Sequence, residues 1–126
     1  MENQLLTYKV IGCAMKVHST LGSGYREVIY QRALAFELGR NQVKFRREHP
    51  IKIFYEQEYI GDNVLDFLIE ENLILELKAV SQLDNSHIAQ VMNYCESTNL
   101  SYGLLINFGS KSLQYNRIYN KKYKKS

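Results

Sequence analysis

The chain has no tryptophan, a single proline, two cysteines and no acidic residue after Glu96. Each shortage removes a class of protein. One Pro and seven Gly in 126 residues, beside 45% hydrophobic residues, exclude collagen-like and low-complexity disordered chains. Cys13 and Cys95 lack the spacing of a disulfide framework or a cysteine-based zinc site, so they read as buried thiols of a reducing cytoplasm. No apolar run approaches the ~20 residues that span a bilayer. The start, Met1-Glu2-Asn3-Gln4, is acidic, and Lys9 and Lys16 interrupt the apolar residues that follow, unlike a signal peptide. A soluble cytoplasmic protein with no membrane partner is expected. A chain of this length buries roughly two thirds of its surface on folding, enough for one core without staples. The expectation is one domain over residues 1–120 and a basic C-terminal tail, 121–126.

Charge is unevenly spread. Of sixteen bases, Lys111, Arg117, Lys121, Lys122, Lys124 and Lys125 follow Glu96, leaving ten bases against thirteen acids before it. A basic end on an acidic body can attract phosphate. A solvated tail that only aids solubility is the plainer reading of the same residues.

Apolar residues at three- and four-residue steps (Leu6, Val10, Cys13, Ala14, Val17, Leu21) predict a helix over 6–21, stopped by Gly22-Ser23-Gly24. Val28, Ile29, Ala33 and Phe36 predict a second over 25–40. Strand chemistry begins at Val43, with Pro50 as a break and Ile51-Lys52-Ile53-Phe54-Tyr55 beyond it. Glu56-Gln57-Glu58 reads as a connection and Asp62-Asn63 as a turn. Two apolar runs, 64–69 and 73–79, flank Glu70-Glu71-Asn72 as a hairpin. A third helix over 86–98 crosses to a strand at 102–108, and a last strand covers 113–119. The order ααββββαββ gives a mixed α/β fold, a central mixed sheet flanked by helices.

The hairpin carries the chemistry. With Glu70-Glu71-Asn72 as its loop, residues equidistant from Glu71 face each other, and Asp66 and Glu76 are such a pair. Alternation puts Val64, Asp66 and Leu68 on one face with Ile74, Glu76 and Lys78, and Leu65, Phe67, Ile69, Leu73, Leu75 and Leu77 on the other. The mixed face is expected to look toward the third helix. Opposed acids with Cβ atoms ~5 Å apart repel. They need a cation, either Lys78 or a divalent metal, because an unpaired buried carboxylate costs several kcal/mol. Carboxylates are the hard ligands suited to Mg²⁺ or Mn²⁺. An edge hairpin whose Asp66, Glu76 and Lys78 face water is the competing reading. Unbroken apolar neighbours, VLDFLI and LILELKAV, weigh against it.

Asp66 followed by Glu76-Leu77-Lys78 resembles the D…ExK signature of PD-(D/E)xK nucleases, the restriction-endonuclease-like superfamily. Gly24-Tyr25-Arg26-Glu27-Val28-Ile29-Tyr30 is similar to the GxxExxY pattern of a small-protein family within it. Gln90-Val91-Met92-Asn93-Tyr94 resembles the QxxxY of its RecB-like branch, and Gly103-Leu104-Leu105-Ile106-Asn107-Phe108-Gly109 its penultimate strand. The proline of "PD" is absent, since Asn63-Val64-Leu65 precedes Asp66. The resemblance implies a restriction-endonuclease-like core, with Asp66, Glu76 and the backbone carbonyl of Leu77 as ligands of Mg²⁺ or Mn²⁺. Lys78 would orient or deprotonate the attacking water, and Glu27 would reach the metal directly or through water.

On the third helix His87, Gln90, Val91 and Tyr94 share a face, so His87, Gln90 and Tyr94 are candidate contacts to phosphate or base, or a polar rim with a packed Tyr. Lys121, Lys122, Lys124 and Lys125 are candidate phosphate contacts. Two functions fit: a metal-dependent phosphodiesterase on nucleic acid, DNA rather than RNA, or a catalytically silent nuclease-fold module that binds nucleic acid or protein. In 126 residues there is little room for a recognition domain, and a homodimer or partner protein could supply the missing contacts.

Overall fold

The computed structural model describes residues 2–125. Two helices, α1 (Gln4–Leu21) and α2 (Glu27–Arg40), precede three strands, β1 (Phe45–Tyr55), β2 (Glu58–Ile69) and β3 (Leu73–Lys78). Helix α3 (Asn85–Thr98) then leads to β4 (Tyr102–Asn107) and β5 (Gln114–Tyr119). The five strands form one mixed sheet in sequence order, parallel only between β3 and β4. A connection between adjacent parallel strands must cross a sheet face, and α3 is that crossover. No helix among the described residues is long and apolar enough to cross a membrane.

Three strands, not four, precede α3, because two expected breaks lie inside strands. Pro50 sits within β1 opposite Val64, tolerated because β1 pairs only with β2 and is a sheet edge. Asp62 and Asn63 pair with Lys52 and Ile51, so both are strand residues rather than a turn. The turn falls at Glu56 and Gln57, both with positive φ (46° and 75°), the geometry of a tight two-residue hairpin.

Two apolar clusters sandwich the sheet. One joins Val10, Ala14 and Val17 of α1 and Tyr30, Leu34 and Leu38 of α2 to Phe67, Leu75, Leu77, Leu104 and Ile106. The other joins Val91, Tyr94 and Cys95 of α3 to Ile51, Leu65, Leu68, Ile74 and Leu105. Leu65 therefore lies on the α3 side and Phe67 on the other, so β2 changes faces at Asp66. Strict alternation, which grouped Leu65 with Phe67, fails there. Opposite, β1 changes faces too: Phe45 packs on the α1–α2 side and Ile51 on the α3 side, with Glu48 between them at φ 52°.

Beyond β3, Asn107 holds the chain. Its buried amide donates to Val80 O and accepts from Val80 N and Gly109 N, all at 2.9–3.0 Å. Gly109 packs against that segment so closely that an added Cβ would lie 2.4 Å from Val80 N and O. Backbone on both sides leaves no flexible group to give way. Gly109→Ala is expected to cost about 2 kcal/mol or more and to lower Tm by at least about 6 °C; a thermal melt unchanged within 2 °C would contradict this packing.

Candidate active site

The β2–β3 ladder is short. Phe67, Leu68 and Ile69 pair with Leu75, Ile74 and Leu73, the register that puts Asp66 opposite Glu76. There the backbone pairing ends and the side chains take its place: Asp66 N–H donates to Glu76 Oε2 at 2.6 Å, and Leu77 N–H donates to Asp66 Oδ2 at 2.8 Å. Each carboxylate satisfies an amide of the other strand. Asp66 does not lie with Leu68 under α3, as strict alternation implied. It reaches α2, where buried Gln31 donates Nε2 to its Oδ1 at 3.4 Å.

This arrangement is electrostatically costly. Glu76 is 4% exposed, and burial followed by the charge of Asp66 pushes its pKa up to about 8. Asp66 is also raised, by burial, against the pull of the Leu77 amide and Lys78. Glu27, the first residue of α2 and exposed overall, is raised by partial burial and by Asp66, with Lys78 opposing. Lys78 is half-buried and close enough to act on all three acids, yet has no carboxylate within 4.0 Å among the described residues. The acids therefore keep most of their mutual repulsion.

From the other side comes α3. Burial and then the charges of Glu76 and Asp66 raise the Tyr94 phenol, which places it within their field. Gln90 lies against Tyr94, and its Oε1 is buried with no partner. His87 is engaged elsewhere: its Nδ1 accepts from Asp84 N–H while Asp84 accepts from Ser86 N–H, a capping box that starts α3. The lysine tail leaves the sheet at the Tyr102–Tyr119 end, whereas Lys78 pairs with Asn107 at the opposite end. Lys122 there meets Glu96 at 3.7 Å, and Lys124 exchanges two backbone bonds with the Asn99 side chain. Asp66, Glu76, Lys78, Glu27, Gln90 and Tyr94 are thus brought together, and His87 and the tail are not.

The family model for the PD-(D/E)XK nuclease superfamily matches residues 4–118. The chain belongs to that superfamily. Among solved structures, one described as the crystal structure of SSO0001 is similar with a TM-score of 0.61 at 16% identity, over 75% of this chain and 50% of that one. At that identity the likeness concerns the fold, and this chain spans about half the length of that protein. A comparison with curated proteins found no match.

PD-(D/E)XK nucleases typically use divalent metals. Among the described residues no three His, Cys, Asp or Glu side chains are gathered closely enough to hold an ion by themselves. The donor set still fits one. Two hard carboxylates converge without an ion-paired cation, and Leu77 adds a carbonyl, since in an extended strand a residue's N–H and C=O point to the same edge and its N–H points at Asp66. Gln31 was not foreseen. Its signal was present, four residues after Glu27 and so on the same helix face.

A pH dependence follows from Glu76. An acid whose folded pKa exceeds its unfolded one, here 4.5 rising to about 8, gives stability that is present below pH 4.5 and lost as pH climbs to about 8. In EDTA, Tm should fall over that window, and Glu76→Gln should flatten the fall and melt higher than the parent at pH 8. A parent whose Tm is level or rising there would show that the pair is not strained.

Proposed function

We propose that the protein is a metal-dependent nuclease that hydrolyses phosphodiester bonds of nucleic acid, DNA in preference to RNA, as a GxxExxY-type member of the RecB-like branch. The observation that carries this reading is the exchange of amide hydrogen bonds by Asp66 and Glu76, which fixes a half-buried and a buried acid side by side with no ion pair to neutralise them. Evolution of a merely stable sheet would favour apolar residues at such positions.

Asp66, Glu76 and the Leu77 carbonyl would hold Mg²⁺ or Mn²⁺, with Glu27 acting through water, in keeping with the lack of a third acid clustered with them among the described residues. When bound, such an ion supplies an activated water and stabilises negative charge on the phosphate. The chain's own residues do the rest. Lys78, two residues past Glu76 on β3, holds the attacking water or a phosphate oxygen by its ammonium. Gln31 keeps Asp66 from rotating out of the gap between strands. Gln90 and Tyr94, which lie against each other, border the substrate from the α3 side.

The alternative, a silent nuclease-fold module that binds nucleic acid or a protein partner, requires that the same site turn nothing over. The two are separated by incubating plasmid, linear and single-stranded DNA with Mg²⁺ and Mn²⁺. Cleavage is expected with the parent and not with Glu76→Ala. Lys78→Met should bind Mg²⁺ at least as well as the parent, because a competing cation is gone. It should cleave at least ~10²-fold more slowly, the lower end for losing a positioned proton-transfer or electrostatic group. Undiminished cleavage by folded Lys78→Met would remove the lysine from the chemistry, and metal-independent binding without cleavage would favour the silent module.

A further inference from the structure

The tyrosine of Gly24-Tyr25-Arg26-Glu27-Val28-Ile29-Tyr30 has no access to a substrate. Tyr30 is 0% exposed. Its ring stacks on Phe108 at 4.7 Å between centroids and 10° between planes, and meets Tyr25 edge-on at 6.3 Å and 76°. Its hydroxyl does two things at once: it accepts the Tyr25 N–H at 3.1 Å and donates to Gly22 O at 2.5 Å. Both partners lie in the turn between α1 and α2, which Gly22 enters with φ 75°.

That turn would otherwise be loosely held. Helix α2 starts at Glu27, and its N-cap, Arg26, makes no side-chain capping bond. An uncapped first turn frays, and Glu27 is in it. The hydroxyl of Tyr30, one turn into the helix, leaves the first-turn amides uncapped but ties down the segment that leads into them, at Gly22 O and Tyr25 N–H. The other face of the ring rests on Phe108, whose N–H donates to Lys78 O at 2.8 Å. One buried side chain therefore links the segment that presents Glu27 to the end of β3 that presents Lys78.

We infer that Tyr30 is a positioning residue for Glu27: its hydroxyl fixes the start of α2 so that the Glu27 carboxylate is held toward Asp66 and the metal. This rests on the reading of Glu27 as part of the metal site. A purely structural tyrosine would contribute to the core and to nothing else, and the two roles differ in what they do to metal affinity.

The test uses Mn²⁺ as the probe, titrated calorimetrically into the full chain, with Tyr30→Phe, Glu27→Gln and the double variant, each melted alongside. Tyr30→Phe keeps the stacked ring and removes only the hydroxyl. Loss of a group that supports a metal-site residue weakens affinity on the order of 10-fold, and that is the effect expected for Tyr30→Phe and for Glu27→Gln. In the double variant the loss should be no larger than in Glu27→Gln alone, because the tyrosine acts through the glutamate. Phe108→Leu, which removes the stack and leaves the hydroxyl bonds to the turn, should hold Mn²⁺ affinity within about 2-fold; a loss as large as that of Tyr30→Phe would assign the effect to core packing and overturn the inference. A lowered Tm with Mn²⁺ affinity unchanged in Tyr30→Phe would overturn the inference while leaving Glu27 in the site. Additive losses would overturn it as well. Unchanged affinity in Glu27→Gln would remove both the inference and the assignment of Glu27 beneath it.

Discussion

Where β2 and β3 part, Asp66 and Glu76 each give a carboxylate oxygen to an amide of the opposite strand, at 2.8 and 2.6 Å, and the site depends on that exchange. A continued ladder would have closed the strands and paired these amides with backbone carbonyls. Leaving the amides without partners would have cost a few kcal/mol at this depth. By substituting carboxylates for carbonyls, the sheet opens a gap lined by two acids while both amides keep an acceptor. The change of faces at Asp66, mirrored in β1 at Glu48, follows from the same opening, because one residue of β2 must turn into the gap.

Everything else near the gap works on the two acids from one side or the other. Helix α2 approaches with Gln31 on Asp66 and with Glu27, and α3 approaches with Tyr94 and Gln90. Asn107 and Gly109 fix the chain as it leaves Lys78. The upward shift of Glu76, driven by burial and by Asp66, is the strain the fold carries to keep both acids in place. A cation placed between them would return that energy.

Much of this was legible in the sequence, and the exceptions have physical causes. The helices were readable because their buried faces recur at 3.6 residues, and the β2–β3 register because Glu70-Glu71-Asn72 is the only polar interruption between two apolar runs. Pro50 misled, since a proline at a sheet edge leaves no trace of the edge in the sequence itself. Asp62-Asn63 misled for a related reason: its partner Lys52 is known only once β1 is in place. The face occupied by Asp66 was unreadable because alternation assumes an unbroken ladder. Gln31 was within reach, one turn beyond Glu27, but a glutamine in a helix has too many ordinary uses to single out. His87, a candidate contact to phosphate or base by its helix face, is engaged as a cap, a role set by Asp84 three residues earlier.

The central claim is that the gap between Asp66 and Glu76 is built for a divalent ion. The most direct measurement is anomalous diffraction from crystals grown at pH 8 with Mn²⁺. The account predicts one strong anomalous peak within coordination distance of one oxygen each of Asp66 and Glu76 and of the Leu77 carbonyl. Full Mn²⁺ occupancy elsewhere with an empty gap, or a gap closed by Lys78 moving into contact with both acids, would contradict it.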